Sequence, residues 1–137
     1  MENLFHLSLP CENLVETKMF YVDTIGASLG RFENNWVDID LFGHQVTFTK
    51  AGNFDFTNPS YKFEGKILSS FHFGIILEKD AWDKVYYKLK IQDLDITTHA
   101  TFLKNKSGEH ESFFVKDPNG YMIEFKCFKN PKDIFNK

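Results

Sequence analysis

The sequence predicts an α+β protein in which two βαβββ modules pair into a curved mixed sheet that forms a cup. Short runs of alternating apolar and polar residues indicate strands, and two segments have helical apolar spacing. The pattern also repeats. Phe5-His6-Leu7 matches Phe71-His72-Phe73 at an offset of 66 residues (72 − 6), and the strand after Gly43 matches the strand after Gly120 at an offset of 77 (120 − 43). Repeats of this size indicate two similar supersecondary units.

The length and composition indicate one domain with a ring-rich core and no need for disulfide bonds. The chain has 137 residues, of which 16 are phenylalanine, a net charge of −3 and a pI near 5.9. This balance gives no general attraction to nucleic acid or acidic membranes, and no apolar run is long enough for a membrane span. Cys11 and Cys127 are too few for a disulfide framework, so we expect a cytoplasmic location.

The first module is predicted over residues 4–50. A strand over 5–10 places His6 and Ser8 on one face, and Asn13 caps a helix that ends at Gly26. The apolar stripe of this helix is predicted to be Val15, Met19 and Val22. Further strands are predicted over 29–33, 36–42 and 45–49. Residues 51–68, rich in Gly, Asn, Pro, Ser and Tyr, are interpreted as a linker with little regular structure.

The second module is predicted over residues 69–128. A strand over 71–75 precedes a helix that starts at Asp80, and a strand over 96–102 follows. Two apolar runs then flank Asp117-Pro118-Asn119-Gly120, whose proline and glycine are typical of a tight turn, so the module ends in a β-hairpin. The polar tail, 129–137, is expected to be loose. The predicted apolar stripe of the helix is Trp82, Val85, Tyr86 and Leu89.

A candidate metal site follows from the repeat. Glu124 projects from the middle of an apolar strand, where an unpaired charge is costly. The positions related by the repeat are His6 and Thr47 in the first module and His72 and Glu124 in the second. Two imidazoles and one carboxylate form a facial triad that holds divalent iron or manganese, and Thr47 would leave a position open. The alternative is that the histidines belong to the core and Glu124 pairs with Lys126 or Arg31.

These residues resemble the vicinal oxygen chelate superfamily, which includes glyoxalase I, type I extradiol dioxygenases, epimerases and bleomycin- or fosfomycin-resistance proteins. The resemblance rests on the two histidine strands and on the run from Asp117 to Glu124, and it covers nearly the whole chain. It implies paired βαβββ modules around a divalent metal that a substrate chelates through two neighbouring oxygens. His6, His72 and Glu124 fall on the metal-ligand positions of the family.

The sequence also departs from particular branches of the family. Glyoxalase I would have a glutamate where this chain has Thr47, and this difference favours a dioxygenase-like triad. The extradiol signature, in contrast, resembles Tyr-x-x-Asp-Pro-x-Gly-x-x-x-Glu preceded by a histidine. This chain has Phe114 in place of that tyrosine and residues 105–107 in place of the histidine, so extradiol cleavage of catechols is disfavoured.

Other candidate residues have both a functional and an ordinary interpretation. His44 and Glu109 are candidate proton carriers, although a turn histidine and a solvated loop glutamate are the simpler interpretations. Arg31 is a candidate anchor for an anionic substrate group. Thr47, Phe48 and Phe114 are candidate substrate contacts, with aromatic core as the alternative for the two rings. Asp38 and Asp40 alternate on one strand face, which we interpret as solvated surface.

The sequence therefore predicts a metal-dependent enzyme that binds a small substrate through adjacent oxygens. A dioxygenase-like reaction is preferred, with a glyoxalase I-like lyase or isomerase and a non-catalytic small-molecule-binding protein as alternatives. Fe(II) or Mn(II) is the preferred metal over Zn or Ni. The expected partners are a small-molecule substrate and a second copy of the chain in a homodimer, with no nucleic acid and no membrane.

Overall fold

The computed structural model describes residues 1–136 and divides into two compact units. Unit 1 comprises residues 1–56 together with 117–119, and unit 2 comprises 57–116 together with the chain from Gly120 onward. Each unit contains one four-stranded mixed sheet and one principal helical segment in the order βαβββ. The predicted α+β fold class is confirmed.

Unit 1 has a sheet with the spatial order β1-β4-β3-β2. Strand β1 runs parallel to β4, and the β4–β3 and β3–β2 pairs are antiparallel. A crossover through a helical segment is needed because two neighbouring parallel strands cannot be joined by a tight turn. The elements are β1 (His6–Cys11), α1 (Leu14–Lys18) with a π-helical continuation (Met19–Ile25), β2 (Ser28–Glu33), β3 (Trp36–Leu41) and β4 (His44–Lys50).

The first helix begins and ends where the sequence predicts, but it buries a different face. The Asn13 side chain accepts a hydrogen bond from the Glu16 N–H at 3.0 Å, and Gly26 ends the segment with a φ of 94°. The predicted stripe is wrong, because Val15 and Met19 are exposed. Both the predicted stripe and the buried set recur at helical spacing, so periodicity alone does not decide which face packs inward. That face consists of Thr17, Phe20, Tyr21 and Ile25.

Unit 2 repeats this topology with the spatial order β7-β10-β9-β8. Strand β7 runs parallel to β10, and the β10–β9 and β9–β8 pairs are antiparallel. Helix α2 packs its predicted stripe inward, and the buried Trp82 donates its Nε1–H to the Phe125 carbonyl at 2.8 Å. The elements are β5 (Ser60–Phe63), β6 (Lys66–Ser69), β7 (His72–Ile76), α2 (Lys79–Ile91), β8 (Ile96–Phe102), β9 (His110–Lys116) and β10 (Met122–Phe128).

The strand register reproduces the sequence repeat. His6 lies opposite Gln45 in unit 1, and His72 lies opposite Met122 in unit 2, at offsets of 66 (72 − 6) and 77 (122 − 45) residues. Two residues further along, Thr47 of β4 corresponds to Glu124 of β10 at the same offset of 77 (124 − 47). The two units are therefore equivalent residue by residue in the strands that carry the predicted ligands.

Two segments are more regular than the sequence predicts. Residues 60–69, which overlap the expected linker over 51–68, form the hairpin β5–β6. Its two-residue turn, Glu64 and Gly65, has positive φ at both positions (47° and 79°), which matches the twist of a hairpin. The sequence did not predict this hairpin because the composition of the segment is typical of a loop. In the tail, Pro131–Ile134 form a 3₁₀ turn whose preceding Asn130 accepts a hydrogen bond from the Lys132 N–H.

The Asp117-Pro118-Asn119 turn is anchored within unit 1. The Tyr21 hydroxyl donates to Asp117 Oδ2 at 2.8 Å, and the Glu12 N–H donates to Asn119 Oδ1 at 3.0 Å. These residues therefore do more than reverse the chain between β9 and β10, since their side chains satisfy buried polar groups near the first helix. Cys11 and Cys127 are both free and buried. Among residues 1–136, no helix has the length and apolar character needed to cross a membrane.

Candidate metal centre

His72 and Glu124 come together on one face of the unit 2 sheet. They lie on the neighbouring parallel strands β7 and β10, and His72 Nε2 is 3.3 Å from Glu124 Oε2. The histidine side chain is 23% exposed and the glutamate side chain is 10% exposed. The pair is therefore largely removed from solvent and still open to a small ligand on the histidine side.

A backbone carbonyl fixes the orientation of the His72 ring. His72 Nδ1 lies 2.9 Å from the Ser69 carbonyl oxygen, which can only accept, so Nδ1 carries the proton and donates it. The ring edge also contacts Phe114 at a centroid distance of 5.5 Å. The hydrogen bond to Glu124 raises the pKa of His72, against burial, which acts in the opposite direction. Nε2 is consequently the atom that faces the carboxylate.

Glu124 is held at its other oxygen by a second strand. The Ser112 hydroxyl on β9 donates to Glu124 Oε1 at 2.7 Å, and Lys126 Nζ lies 3.6 Å from the same oxygen. Burial would raise the pKa of Glu124, but the hydrogen bonds from His72 and Ser112 and the charge of Lys126 outweigh it and lower the pKa. The carboxylate is therefore ionised and fixed at neutral pH.

These two side chains fit two ligand positions of a divalent metal. A ligating histidine typically donates its second ring nitrogen to a carbonyl or carboxylate, as His72 does to Ser69, and a ligating carboxylate is itself hydrogen-bonded, as Glu124 is by Ser112. Within the described chain, however, no three His, Cys, Asp or Glu side chains are grouped so that they could hold a metal ion. The third predicted ligand, His6, is an exposed residue of unit 1, and its participation stays a prediction.

Gly74 permits the close approach of β7 to the backbone of Glu124, and no pattern in the sequence singles it out. It lies directly opposite Glu124 in the β7–β10 register. A Cβ atom at this position would overlap the backbone carbonyl of Glu124. The two strands therefore approach at a separation that only glycine permits, and this approach sets the distance between His72 and Glu124.

The corresponding face of unit 1 carries a polar network centred on Asp38. The Thr47 hydroxyl donates to Asp38 Oδ1 at 2.6 Å, and Gln45 Nε2 donates to Oδ2 at 3.0 Å. Arg31 contacts Oδ2 through Nε at 3.1 Å and Nη2 at 3.0 Å. Asp38 is buried, which corrects its interpretation as solvated surface, whereas Asp40 is exposed as expected.

The hydrogen-bond donors around Asp38 keep its carboxyl group ionised. Burial would raise the pKa of the Asp38 carboxyl, but the hydrogen bonds from Thr47, Arg31 and Gln45 and the Arg31 charge hold it below its usual range. Thr47 occupies the position that corresponds to Glu124, and its proton is committed to Asp38. A carboxylate is therefore present on this face, one strand away from where a glutamate ligand would be.

The predicted accessory residues have mixed outcomes. Phe114 is buried beside His72, so it belongs to the candidate centre. Phe48 is fully buried against Tyr21, which corrects its prediction as a substrate contact, because alternation places it on the core face of β4.

The two candidate proton carriers each have a partner. His44 accepts the Phe5 N–H at Nδ1 (3.1 Å). Glu109 pairs with Lys129 at 3.1 Å, and its hydrogen bond from the Asn105 N–H lowers its pKa. The catalytic roles of His44 and Glu109 stay predictions.

Cavities occur in both units. In unit 1 a cavity of about 250 Å³ is lined by Arg31, Asp38, Gln45 and His44 among others. In unit 2 a cavity of about 120 Å³ is lined by Ser69 and Phe114, which contact His72, and by Met122 among others, but not by His72 or Glu124 themselves. This second cavity is large enough only for a small group.

Comparison with known proteins identifies the fold. A crystal structure of a glyoxalase/bleomycin resistance protein/dioxygenase from Alicyclobacillus acidocaldarius is similar to this chain with a TM-score of 0.82 and 27% sequence identity, covering 97% of this chain and 96% of that one. The chain is a vicinal oxygen chelate protein by fold. Two more distant structures of this superfamily share the fold. A glyoxalase family protein from Bacillus anthracis has 18% identity, a TM-score of 0.64 and coverage of 94% and 97%.

The second of the two more distant structures is the fosfomycin resistance protein FosX from Listeria monocytogenes. It has 12% sequence identity and a TM-score of 0.65, and the match covers 97% of this chain and 98% of that one. No family model and no curated protein matches the sequence. The expected resemblance to the vicinal oxygen chelate superfamily is therefore confirmed by the fold. The names of these vicinal oxygen chelate proteins span several activities, so the fold does not select one reaction.

Proposed function

We propose that the protein is a metal-dependent enzyme whose divalent metal is held by His72, Glu124 and His6. The observation that carries the proposal is the contact between His72 Nε2 and Glu124 Oε2 at 3.3 Å, in which both groups are oriented from behind by Ser69 and Ser112. The Ser69 carbonyl holds the proton on His72 Nδ1, so that Nε2 of the neutral ring could present its lone pair to a metal.

The preferred chemistry is dioxygenase-like, with Fe(II) or Mn(II). When bound, the metal would act as a Lewis acid and template for a substrate with two adjacent oxygens and would allow oxygen activation. The support from this chain is that Thr47 brings no fourth acidic ligand, and its hydroxyl proton is committed to Asp38. The face formed by His72, Glu124 and Gly74 would then remain open to substrate.

A glyoxalase I-like isomerase or lyase is the second candidate, and Asp38 favours it. Such a reaction needs a base that removes a proton from carbon, and Thr47 cannot be that base. The buried Asp38 carboxylate lies 2.6 Å from the Thr47 hydroxyl, so a proton acceptor is held one strand away. The low pKa of Asp38 argues against it as a strong base, and this ranks the isomerase second.

Arg31 is proposed to bind an anionic group of the substrate. It is the only arginine of the chain, and its side chain is 77% exposed. Asp38 holds Nε and Nη2, and the guanidinium lies over the Trp36 ring at 5.5 Å. Because these contacts use Nε and Nη2, the N–H groups of Nη1 are not engaged by Asp38 and can meet a carboxylate.

Metal content is the first test of the proposed function. Protein purified without oxygen and reconstituted with Fe(II) or Mn(II) should retain near-stoichiometric metal, and Glu124→Gln should lose it. A matched control exists in the same sheet, because His99 Nε2 and Glu111 Oε1 also form a pair, at 2.8 Å, and Glu111 also pairs with Lys79. Glu111→Gln should retain the metal. A negligible metal content in the unaltered protein and in both variants would refute the proposal and would favour a non-catalytic binding protein.

A second test identifies the reaction. Oxygen uptake by the Fe(II) protein should be followed across catechols and 2-oxo acids, and a thiohemiacetal should be offered in parallel. Metal-dependent oxygen consumption supports the dioxygenase-like reaction. Turnover of the thiohemiacetal without oxygen consumption would overturn that preference in favour of the isomerase.

We also propose that the protein forms a homodimer, and a mixing experiment tests whether two chains share one centre. His6→Ala and Glu124→Gln should each abolish metal binding. If His6 of one chain completes the centre of another, an equimolar mixture refolded together regains part of the metal, because some centres receive both intact modules. If each centre is built from one chain, the mixture regains none. Light scattering after size exclusion measures the oligomeric state.

A further inference from the structure

Lys126 brings a positive charge to the sheet face that carries His72 and Glu124. It follows Glu124 by two residues on β10, so alternation places both side chains on the same side of the sheet. Ser112 lies directly opposite Lys126 on β9 and donates to Glu124 from that side. Lys126 Nζ lies 3.6 Å from Glu124 Oε1, whereas His72 Nε2 lies 3.3 Å from Oε2. The ammonium and the imidazole therefore face different oxygens of one carboxylate.

The ammonium group of Lys126 is close to Glu124 without a short hydrogen bond to it. Such a bond to a carboxylate is usually about 2.7–2.9 Å long, and the contact here is 3.6 Å. Glu124 Oε1 accepts instead from the Ser112 hydroxyl at 2.7 Å. Lys126 Nζ also lies 5.9 Å from the centre of the Phe128 ring, and the side chain is 27% exposed. The N–H groups of Lys126 can therefore meet a ligand that binds beside Glu124.

The charge of Lys126 acts on both candidate ligands of the metal. Burial raises the pKa of Glu124, whereas the His72 hydrogen bond and then the Lys126 charge lower it. The pKa of His72 is raised mainly by its hydrogen bond to Glu124, and the Lys126 charge opposes this rise. A positive charge in this position also repels a divalent cation at the pair. An anion that binds together with the cation would remove this repulsion.

The balance of charges at the centre points to the class of substrate. With a divalent metal bound, the centre would carry two positive charges in excess, because Lys126 offsets the negative charge of Glu124 and neutral imidazoles add none. Excess charge in a partly buried site is costly unless a ligand compensates it. We propose that Lys126 binds the substrate and selects a dianion in which both chelating oxygens are deprotonated. The inference rests on the proposed function in assuming a metal at His72 and Glu124.

Two chelating probes of different charge test this selection. Both would be titrated into the Zn(II)-loaded protein, in which zinc permits binding without redox turnover. 4-Nitrocatechol can chelate as a dianion and tropolone as a monoanion, each through two neighbouring oxygens. Lys126→Met removes the charge and keeps a long side chain. We expect it to bind 4-nitrocatechol about tenfold more weakly and tropolone only about threefold more weakly, because the attraction scales with the charge of the ligand.

Two further variants and the spectrum of the probe control this comparison. Lys126→Arg keeps the charge and should retain the affinity for 4-nitrocatechol. Lys129→Met removes an equal charge just beyond β10, where Lys129 is 69% exposed and pairs with Glu109 at 3.1 Å. It should bind both probes as the unaltered protein does, and an equal loss of affinity in Lys129→Met would overturn the inference. The visible absorption of 4-nitrocatechol should be that of the dianion in the unaltered protein.

The zinc content separates this inference from the proposed function. If the unaltered protein retains no zinc, the proposed function is refuted and the inference with it. If the unaltered protein and Lys126→Met both retain zinc but bind 4-nitrocatechol equally well, the inference alone is overturned. Loss of zinc from Lys126→Met would also overturn the inference, because Lys126 would then serve to hold Glu124 rather than to bind the substrate.

Discussion

Asp38→Asn tests the conclusion that the unit 1 face is organised around a buried carboxylate. The substitution keeps the size of the side chain and removes its charge. Asp38 accepts from the Thr47 hydroxyl at 2.6 Å and from Gln45 at 3.0 Å, and its side chain is only 6% exposed. The introduced amide either meets the Gln45 and Arg31 donors with its N–H groups or requires the Thr47 hydroxyl to accept instead of donate, and in both cases the charge-assisted bonds are lost.

The expected cost follows from the burial of each partner. A hydrogen bond to a buried charged group contributes about 1.5–3 kcal/mol. The Arg31 contribution is small, because its side chain is 77% exposed and the pair is screened by solvent. Removing a buried charge also relieves part of the desolvation cost. We therefore expect Asp38→Asn to lower the free energy of unfolding by about 2 kcal/mol.

The loss of stability caused by Asp38→Asn should become smaller as the pH falls. The pKa of Asp38 is lowered in the folded protein, so the ionised carboxylate stabilises the fold above the unfolded pKa of about 3.9, and this contribution is lost as the pH falls through the folded value. The difference in unfolding free energy between Asp38→Asn and the unaltered protein should be full near neutral pH and should narrow in the acid range, below the unfolded pKa of about 3.9.

Urea denaturation followed by circular dichroism, at neutral and at acid pH, measures the difference in unfolding free energy between Asp38→Asn and the unaltered protein. Asp40→Asn is the matched control, because Asp40 lies two residues away on the same strand and is exposed. It should change stability by no more than about 0.5 kcal/mol. A cost for Asp38→Asn as small as that of the control, or one that stays constant into the acid range, would refute the argument that the buried carboxylate holds this face together.

Three further predictions concern unit 2 and the anchored turn. Gly74→Ala should reduce metal retention and lower the melting temperature, because its Cβ would force β7 away from Glu124; normal retention in reconstituted protein would contradict this. Ser112→Ala should weaken metal binding by about 10- to 100-fold in a chelator competition with little change of fold, since it removes the bond to Glu124 Oε1. Tyr21→Phe should lower the unfolding free energy by about 1–2 kcal/mol in urea denaturation, because the buried Asp117 loses a donor at 2.8 Å; an unchanged midpoint would count against that bond.

Most of the fold could be predicted from local pattern. Alternation located the strands to within a few residues, and the repeat of Phe5-His6-Leu7 in Phe71-His72-Phe73 anticipated the equivalent registers of β1 with β4 and of β7 with β10. The hairpin at 60–69 was missed because Pro59, Ser60 and Gly65 are typical of loops, whereas the positive φ values at its turn are properties of the folded backbone. The buried face of the first helix was missed because two sets of residues recur at helical spacing, and only packing against the sheet decides which set is buried.

The residues of the candidate site also fall into those that the sequence could identify and those that it could not. His72 and Glu124 could be selected from sequence because a charged residue in an apolar strand needs a partner. Asp38 could not, since Asp38 and Asp40 alternate identically and only the cross-strand donors Thr47 and Arg31 make one of them a buried carboxylate.

The sequence by itself determined which residue types occur on each strand face and that the pattern occurs twice, because side-chain alternation and repetition are local properties of the chain. Only the tertiary structure decided which of those polar residues meet. The 3.3 Å between His72 and Glu124, the carbonyl of Ser69 behind the imidazole and the close approach at Gly74 arise from the spacing of neighbouring strands. That spacing depends on contacts between residues far apart in the chain, which no local pattern records.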